Sequence, residues 1–199
     1  CGADELGLAT HSDGLMELDL PVGTDLATHF GDTIIDLSLT PNLGHCASLV
    51  GIARELSALT DTPYTAPTSP PLPSKTGTIT ISREDETACP CYAYCLIEGV
   101  AQTPSPEWMT KRLTACGIRP ISLIVDITNY VMLELGQPMH AFDFDRLPHK
   151  ELRIAPAPSP TQLETLDGAM RTVPEGTLLI WDRHLPIAIA GVMGGAQTE

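Results

Sequence analysis

The sequence predicts an α+β fold, with mixed or antiparallel sheets packed against helices. Three observations carry that expectation. Helical and strand-like segments occur without regular βα alternation. The second half is rich in short, largely apolar runs that read as strands, at 152–155, 178–182 and 186–190. Between the first two of these, residues 163–173 read as a hairpin turning at Asp167-Gly168.

Taken in order, residues 1–36 are polar and broken by glycine, with short apolar bursts such as 14–18. Residues 32–39 alternate well enough for a strand. A helix is expected from about 46 to 59, with Leu49, Ile52, Ala53 and Leu56 at helical spacing. Residues 61–75, DTPYTAPTSPPLPSK, hold five prolines, which neither continue a helix nor donate to a sheet. They read either as a linker between domains or as an ordered surface connection between two packed ones. Strands are expected at 76–81, where Thr78, Ile79, Thr80 and Ile81 are all β-branched, and at 91–100. Ser105 and Pro106 suit the cap and first position of a helix, with Trp108 and Leu113 facing the core.

The richest segment is VDITNYVMLELGQPMHAFD, residues 125–143. Asp126 or Thr128 can cap a helix, along which Ile127, Val131 and Leu135 form an apolar stripe. Gly136 suits the left-handed residue after the helix, and Pro138 prevents its resumption. Thr128, Asn129 and His140 thereby approach the ends of one short rigid element. A hydroxyl, an amide and an imidazole can converge there on a polar group. The other reading is ordinary architecture, a capped helix followed by a turn and a structural histidine.

The chain has 199 residues, 43% of them hydrophobic, enough for one or two folded cores. No apolar run approaches the length that crosses a membrane, and no basic, signal-like start is present. The opening on Cys1 and the close on Gln197-Thr198-Glu199 lead us to expect a fragment. A formal net charge of −14 argues against an extended phosphate-binding surface, and the basic residues Lys111, Arg112 and Arg119 are scattered. Cys89, Cys91, Cys95 and Cys116 lack the paired spacing of structural zinc sites. Odd positions of a strand would share one face, so joint coordination competes with buried free thiols in a reduced protein. Asp4-Glu5 and Glu84-Asp85-Glu86 read as solvated acids, and no metal site is expected. Gly191 to Gly195 lacks the Lys-Ser/Thr ending of a phosphate-binding loop.

Several landmarks, in order, resemble the β chain of bacterial phenylalanyl-tRNA synthetases. They are Thr40-Pro41-Asn42, the GIAREL run 51–56, Ser105-Pro106-Glu107-Trp108, Gly117-Ile118-Arg119-Pro120, the 125–143 segment and the AGVMGG turn 190–195. The resemblance covers nearly all the chain. It implies a small N-terminal domain at 1–60, part of a B1-like region with the exit of an inserted barrel. It further implies that 61–75 is the linker and 76–199 a B3/B4-like editing domain, truncated at its C-terminus.

In that family the editing domain hydrolyses misacylated tyrosyl-tRNA(Phe). The need is physical, because an apolar pocket for phenylalanine cannot strongly reject one added hydroxyl. Carried over residue by residue, the resemblance makes His140 a catalytic position. It makes Thr128, Asn129, Ala190 and Gly191 pocket positions. His140 could hold the attacking water or the terminal ribose, and no Ser or Cys nucleophile pairs with it. For Ala190 and Gly191 the alternative is simply a tight turn. The family's hydroxyl-receiving glutamate lies beyond the turn, and the chain ends at Glu199, short of it. A non-catalytic interaction module of the synthetase is the competing expectation.

The implied partners are the 3′ aminoacyl end of tRNA(Phe) and a synthetase α chain in an α2β2 enzyme. ATP and Mg2+ serve the full enzyme, with no cofactor for this piece, and the implied location is cytoplasmic. Two departures stand out. Asn42-Leu43-Gly44-His45-Cys46 stands where the family usually has Asn-Arg-x-Asp-Cys, losing a possible Arg-carboxylate contact, and Cys89-Pro90-Cys91-Tyr92 where it usually has Cys-Pro-Arg-Tyr.

Overall fold

A computed structural model describes residues 2–5, 9, 11–71 and 79–198. The chain divides into two compact units, Cys1–Leu37 and Ser38–Glu199. In the first, helix α1 spans Leu26–Phe30. Its cap is Asp25, which accepts from the Ala27 amide at 3.1 Å and the Thr28 hydroxyl at 2.5 Å.

The second unit is α+β, as the sequence predicts. A 3-10 turn at Pro41–Cys46 leads into helix α2, Leu49–Thr60. Ser48 caps α2 by accepting from the Gly51 amide at 3.0 Å. Strand β1 is Thr80–Arg83; the expected strand at 76–81 therefore begins later, and 76–78 lie outside the described residues. Helices α3, Glu107–Ala115, and α4, Leu123–Leu135, follow. Strands β2 (Glu151–Pro156), β3 (Thr161–Glu164), β4 (Met170–Val173), β5 (Leu178–Asp182), β6 (Leu185–Ile189) and β7 (Met193–Gly194) complete the unit.

The main sheet runs β1-β2-β5-β6-β7, with β1 and β2 parallel and the other neighbours antiparallel. Strands β3 and β4 form a separate hairpin closed by Asp167-Gly168, as expected. Asp167 bonds the Thr165 hydroxyl, the Ala169 amide and Arg171, and these contacts, Thr165 foremost, hold its carboxyl down to about 2. Two apolar clusters flank the sheet. Ala155, Leu179 and Trp181 gather with Ala157 and with Leu163 and Val173 of the hairpin. Leu152, Ile180, Ile187 and Ala188 gather with Leu147. Trp181 also donates to the Ala155 carbonyl at 3.0 Å, which satisfies its indole in the core.

Several local expectations are corrected. Residues 32–39 and 91–100 form no strand among the described residues, because neither run finds a ladder partner there and β-propensity only expresses itself on a paired, half-buried surface. Trp108 is 50% exposed, while Met109 and Leu113, one helical turn apart, take the inward face of α3. Trp108 instead meets Tyr130 edge-on at 5.2 Å, with Arg112 over its ring at 5.4 Å. Neither Asp126 nor Thr128 caps α4, whose N-cap is Ser122. Asp126 is buried inside the first turn and accepts from Ser105 Oγ at 2.5 Å and the Ile121 amide at 2.8 Å, so Ser105 does not cap α3. The stripe on α4 is likewise not a core face, since Ile127 and Leu135 are exposed. Its C-terminal glycine behaves as expected: Gly136 has φ 78° and returns its amide to the Met132 carbonyl at 2.8 Å.

Candidate functional site

Between Gly136 and β2 the chain runs as an irregular strap. A 3-10 turn at Phe144–Arg146, capped by Asp143, leads to Leu147, which is buried in the second cluster. Phe142 packs against the same cluster and meets the His140 ring edge-on at 4.7 Å. The Asp143 amide donates to the Thr198 carbonyl at 2.9 Å, tying the strap to the end of the chain.

The His140 ring lies directly against the backbone of Gly194. A Cβ built on Gly194 would lie 2.6 Å from His140 Nε2 and 3.1 Å from a Leu166 methyl, so only glycine fits while the imidazole keeps its place. This contact joins two segments more than fifty residues apart in sequence.

Ala190, Gly191 and Val192 turn the chain from β6 to β7. The Val192 amide donates to the Ile189 carbonyl at 3.0 Å, and Gly191 at the third position has φ 70°. Positive φ at that position is the type II requirement, and glycine meets it without strain. Gly191 is exposed with open space around its Cα, whereas Ala190 is half-buried against the cluster that holds Phe142. The structure thus brings His140, Ala190 and the glycine turn to one end of the sheet.

Thr128 and Asn129 lie half-buried on α4, a helix that packs on α2 and α3. The Thr128 hydroxyl donates back to the Val125 carbonyl at 2.8 Å. A cleft of about 160 Å³ between the β3–β4 hairpin and β6 is lined by Gln162, Glu164, Gln197 and Thr198 among others, and by none of the five expected site residues. Thr198 Oγ1 is buried there without a hydrogen-bond partner. Sequence reasoning missed both Gly194 as the seat of His140 and Thr198. The Gly194-Gly195 pair, three residues after Gly191, was the available signal for the former.

Residues 88–199 match the B3/4 domain, and the chain belongs to that family. Over its whole length it is 44% identical to a phenylalanine–tRNA ligase beta subunit of Protochlamydia amoebophila, of which it covers 26%. It is 43% identical to the corresponding subunit of Salinibacter ruber and 45% to that of a Synechococcus species, covering 25% and 26% of them. The chain therefore spans about a quarter of the length of the curated relatives it matches.

Proposed function

We propose that this chain is the part of a phenylalanine–tRNA ligase β chain that carries its editing domain, hydrolysing misacylated tyrosyl-tRNA(Phe). The observation that supports this reading most is the seating of His140 against Gly194, beside the turn of Ala190 and Gly191. An imidazole held by a glycine wall and by Phe142 can accept a proton from a water attacking the ester carbonyl, or hold the terminal ribose. The leaving group is the ribose hydroxyl, which takes up a proton as the acyl carbon gains the water oxygen. Ala190 leaves room for the aminoacyl group and Gly191 allows close backbone approach, while Thr128 and Asn129 on α4 are pocket positions by resemblance alone.

In this reading residues 76–199 are the editing body, 1–60 a smaller N-terminal part and 61–75 the link between them. The partners are the 3′ end of tRNA(Phe) and a synthetase α chain. ATP and Mg2+ serve aminoacylation elsewhere in the enzyme, in the cytoplasm, and editing needs neither. No helix among the described residues is long and apolar enough to cross a membrane.

The test is Ala190→Trp in the full-length β chain. The larger ring should block the misacylated end and abolish tyrosyl-tRNA(Phe) deacylation, with an overpacking cost of about 1–3 kcal/mol that circular dichroism and melting can monitor. A folded variant that still edits removes Ala190 from the pocket. A second reading, a non-catalytic interaction module, draws on the charge of −14 and on the exposed Ile127 and Leu135 of α4.

The charge yields a further expectation. The isolated 199-residue chain should bind whole tRNA weakly, and more weakly still as salt is lowered, because like-charge repulsion then reaches farther. A fluorescence titration across ionic strengths measures this. Tight binding that strengthens at low salt would instead mark a dedicated RNA-binding module.

A further inference from the structure

We propose that His45, Cys46 and Glu55 form a binding site for a divalent transition-metal ion, with zinc the best match. One ligand atom from each lies within 4.8 Å of the others, and His45 Nε2 is 3.2 Å from Glu55 Oε2. Local folding creates the cluster. The 3-10 turn ends on Cys46, Ser48 caps α2, and Glu55 follows Gly51 by one helical turn, on the same face. Gly51 is the hinge of this arrangement. A Cβ there would lie 2.8 Å from the His45 carbonyl carbon and 3.1 Å from Cys46 Cα, so only glycine lets the turn press onto the helix.

The donor set selects the ion. Thiolate and imidazole favour zinc and its neighbours, whereas calcium and magnesium take oxygen ligands. Donors around a tetrahedral zinc stand about 3.2–3.8 Å apart, a spacing the His45–Glu55 pair already has and Cys46 reaches by a small closure. Three protein donors leave a fourth position for water. Cys46 is buried, while His45 and Glu55 line a cleft of about 310 Å³ together with Gly51 and Arg54. On binding, the Cys46 thiol gives its proton to solvent as the sulfur–metal bond forms, so affinity rises with pH. The Arg54 guanidinium in the same cleft opposes the cation and makes the site weaker than a closed cysteine-rich one.

The experiment is titration of the protein with Co2+, read by absorbance, followed by displacement with Zn2+. The expected result is a thiolate-to-cobalt charge-transfer band that zinc removes. Cys46→Ser should abolish the band, and His45→Gln or Glu55→Gln should each weaken Co2+ binding roughly tenfold or more. A band that persists in Cys46→Ser would come from Cys1, Cys89, Cys91, Cys95 or Cys116 and would overturn the proposal. So would His45→Gln binding Co2+ as tightly as the parent, a comparison that holds even if the buried Cys46→Ser fails to fold, because His45 is exposed.

Discussion

His140→Ala in the full-length β chain should slow hydrolysis of tyrosyl-tRNA(Phe) by roughly 10²–10⁴-fold, the usual contribution of a general acid–base. Phenylalanine activation should be untouched, because no adenylate-forming motif occurs in this chain. The expectation rests on position. The ring is fixed edge-on to Phe142, and Phe142 is anchored in the cluster that also holds Ala190. The imidazole lies against Gly194 of the Ala190–Gly195 turn while remaining exposed to solvent, where an attacking water can reach it. Gly194→Ala supplies an independent arm. Its Cβ would push against the imidazole and displace it, so editing should fall while His140 itself remains. Deacylation and amino-acid activation are measured side by side. Equal loss of both activities would indicate a folding defect, and full editing by His140→Ala would end its catalytic role.

What the sequence revealed depended on how local each signal was. The Asp167-Gly168 hairpin and the Gly136 cap were legible because each is specified by neighbouring residues: a turn dipeptide between short strands, and a glycine after an apolar helix. The strands at 152–155, 178–182 and 186–190 were legible because apolar residues there pack on both sheet faces. Residues 91–100 show the limit, since β-branched or aromatic content does not tell whether a partner strand exists. Ser105 and Asp126 show another. Both have cap-forming side chains, but they bond each other across twenty-one residues, a pairing that no local pattern encodes. The candidate site was legible only as a proposal. His140 and Ala190–Gly191 were picked out through resemblance, while the steric fit of His140 on Gly194 exists only once the strap and β7 are brought together.

Asp182→Ala should be among the most destabilising single changes in the chain. Asp182 is fully buried, yet no sequence feature distinguishes it from a surface acid at the end of a strand. It ends β5, paired with Leu152 of β2 and Leu185 of β6. One carboxylate oxygen accepts from the His149 amide at 2.9 Å and the other from the Glu151 amide at 3.0 Å. The side chain thus stands in for a ladder partner at the point where the strap enters β2. Alanine would leave two part-buried amides without their carboxylate acceptor at about 1–3 kcal/mol each, so a loss of roughly 2–5 kcal/mol is expected. For a chain of this size that lowers the melting temperature by roughly 5–15 °C. Asp182→Asn should fall between, because its single carbonyl oxygen can accept from one amide while its own N–H groups oppose the other. Thermal and urea unfolding of the three proteins decide the matter. A loss under about 0.5 kcal/mol for Asp182→Ala, the level of an ordinary surface change, would mean that water or a local shift satisfies those amides. Asp182 would then not be what fixes the exit of the strap that carries His140.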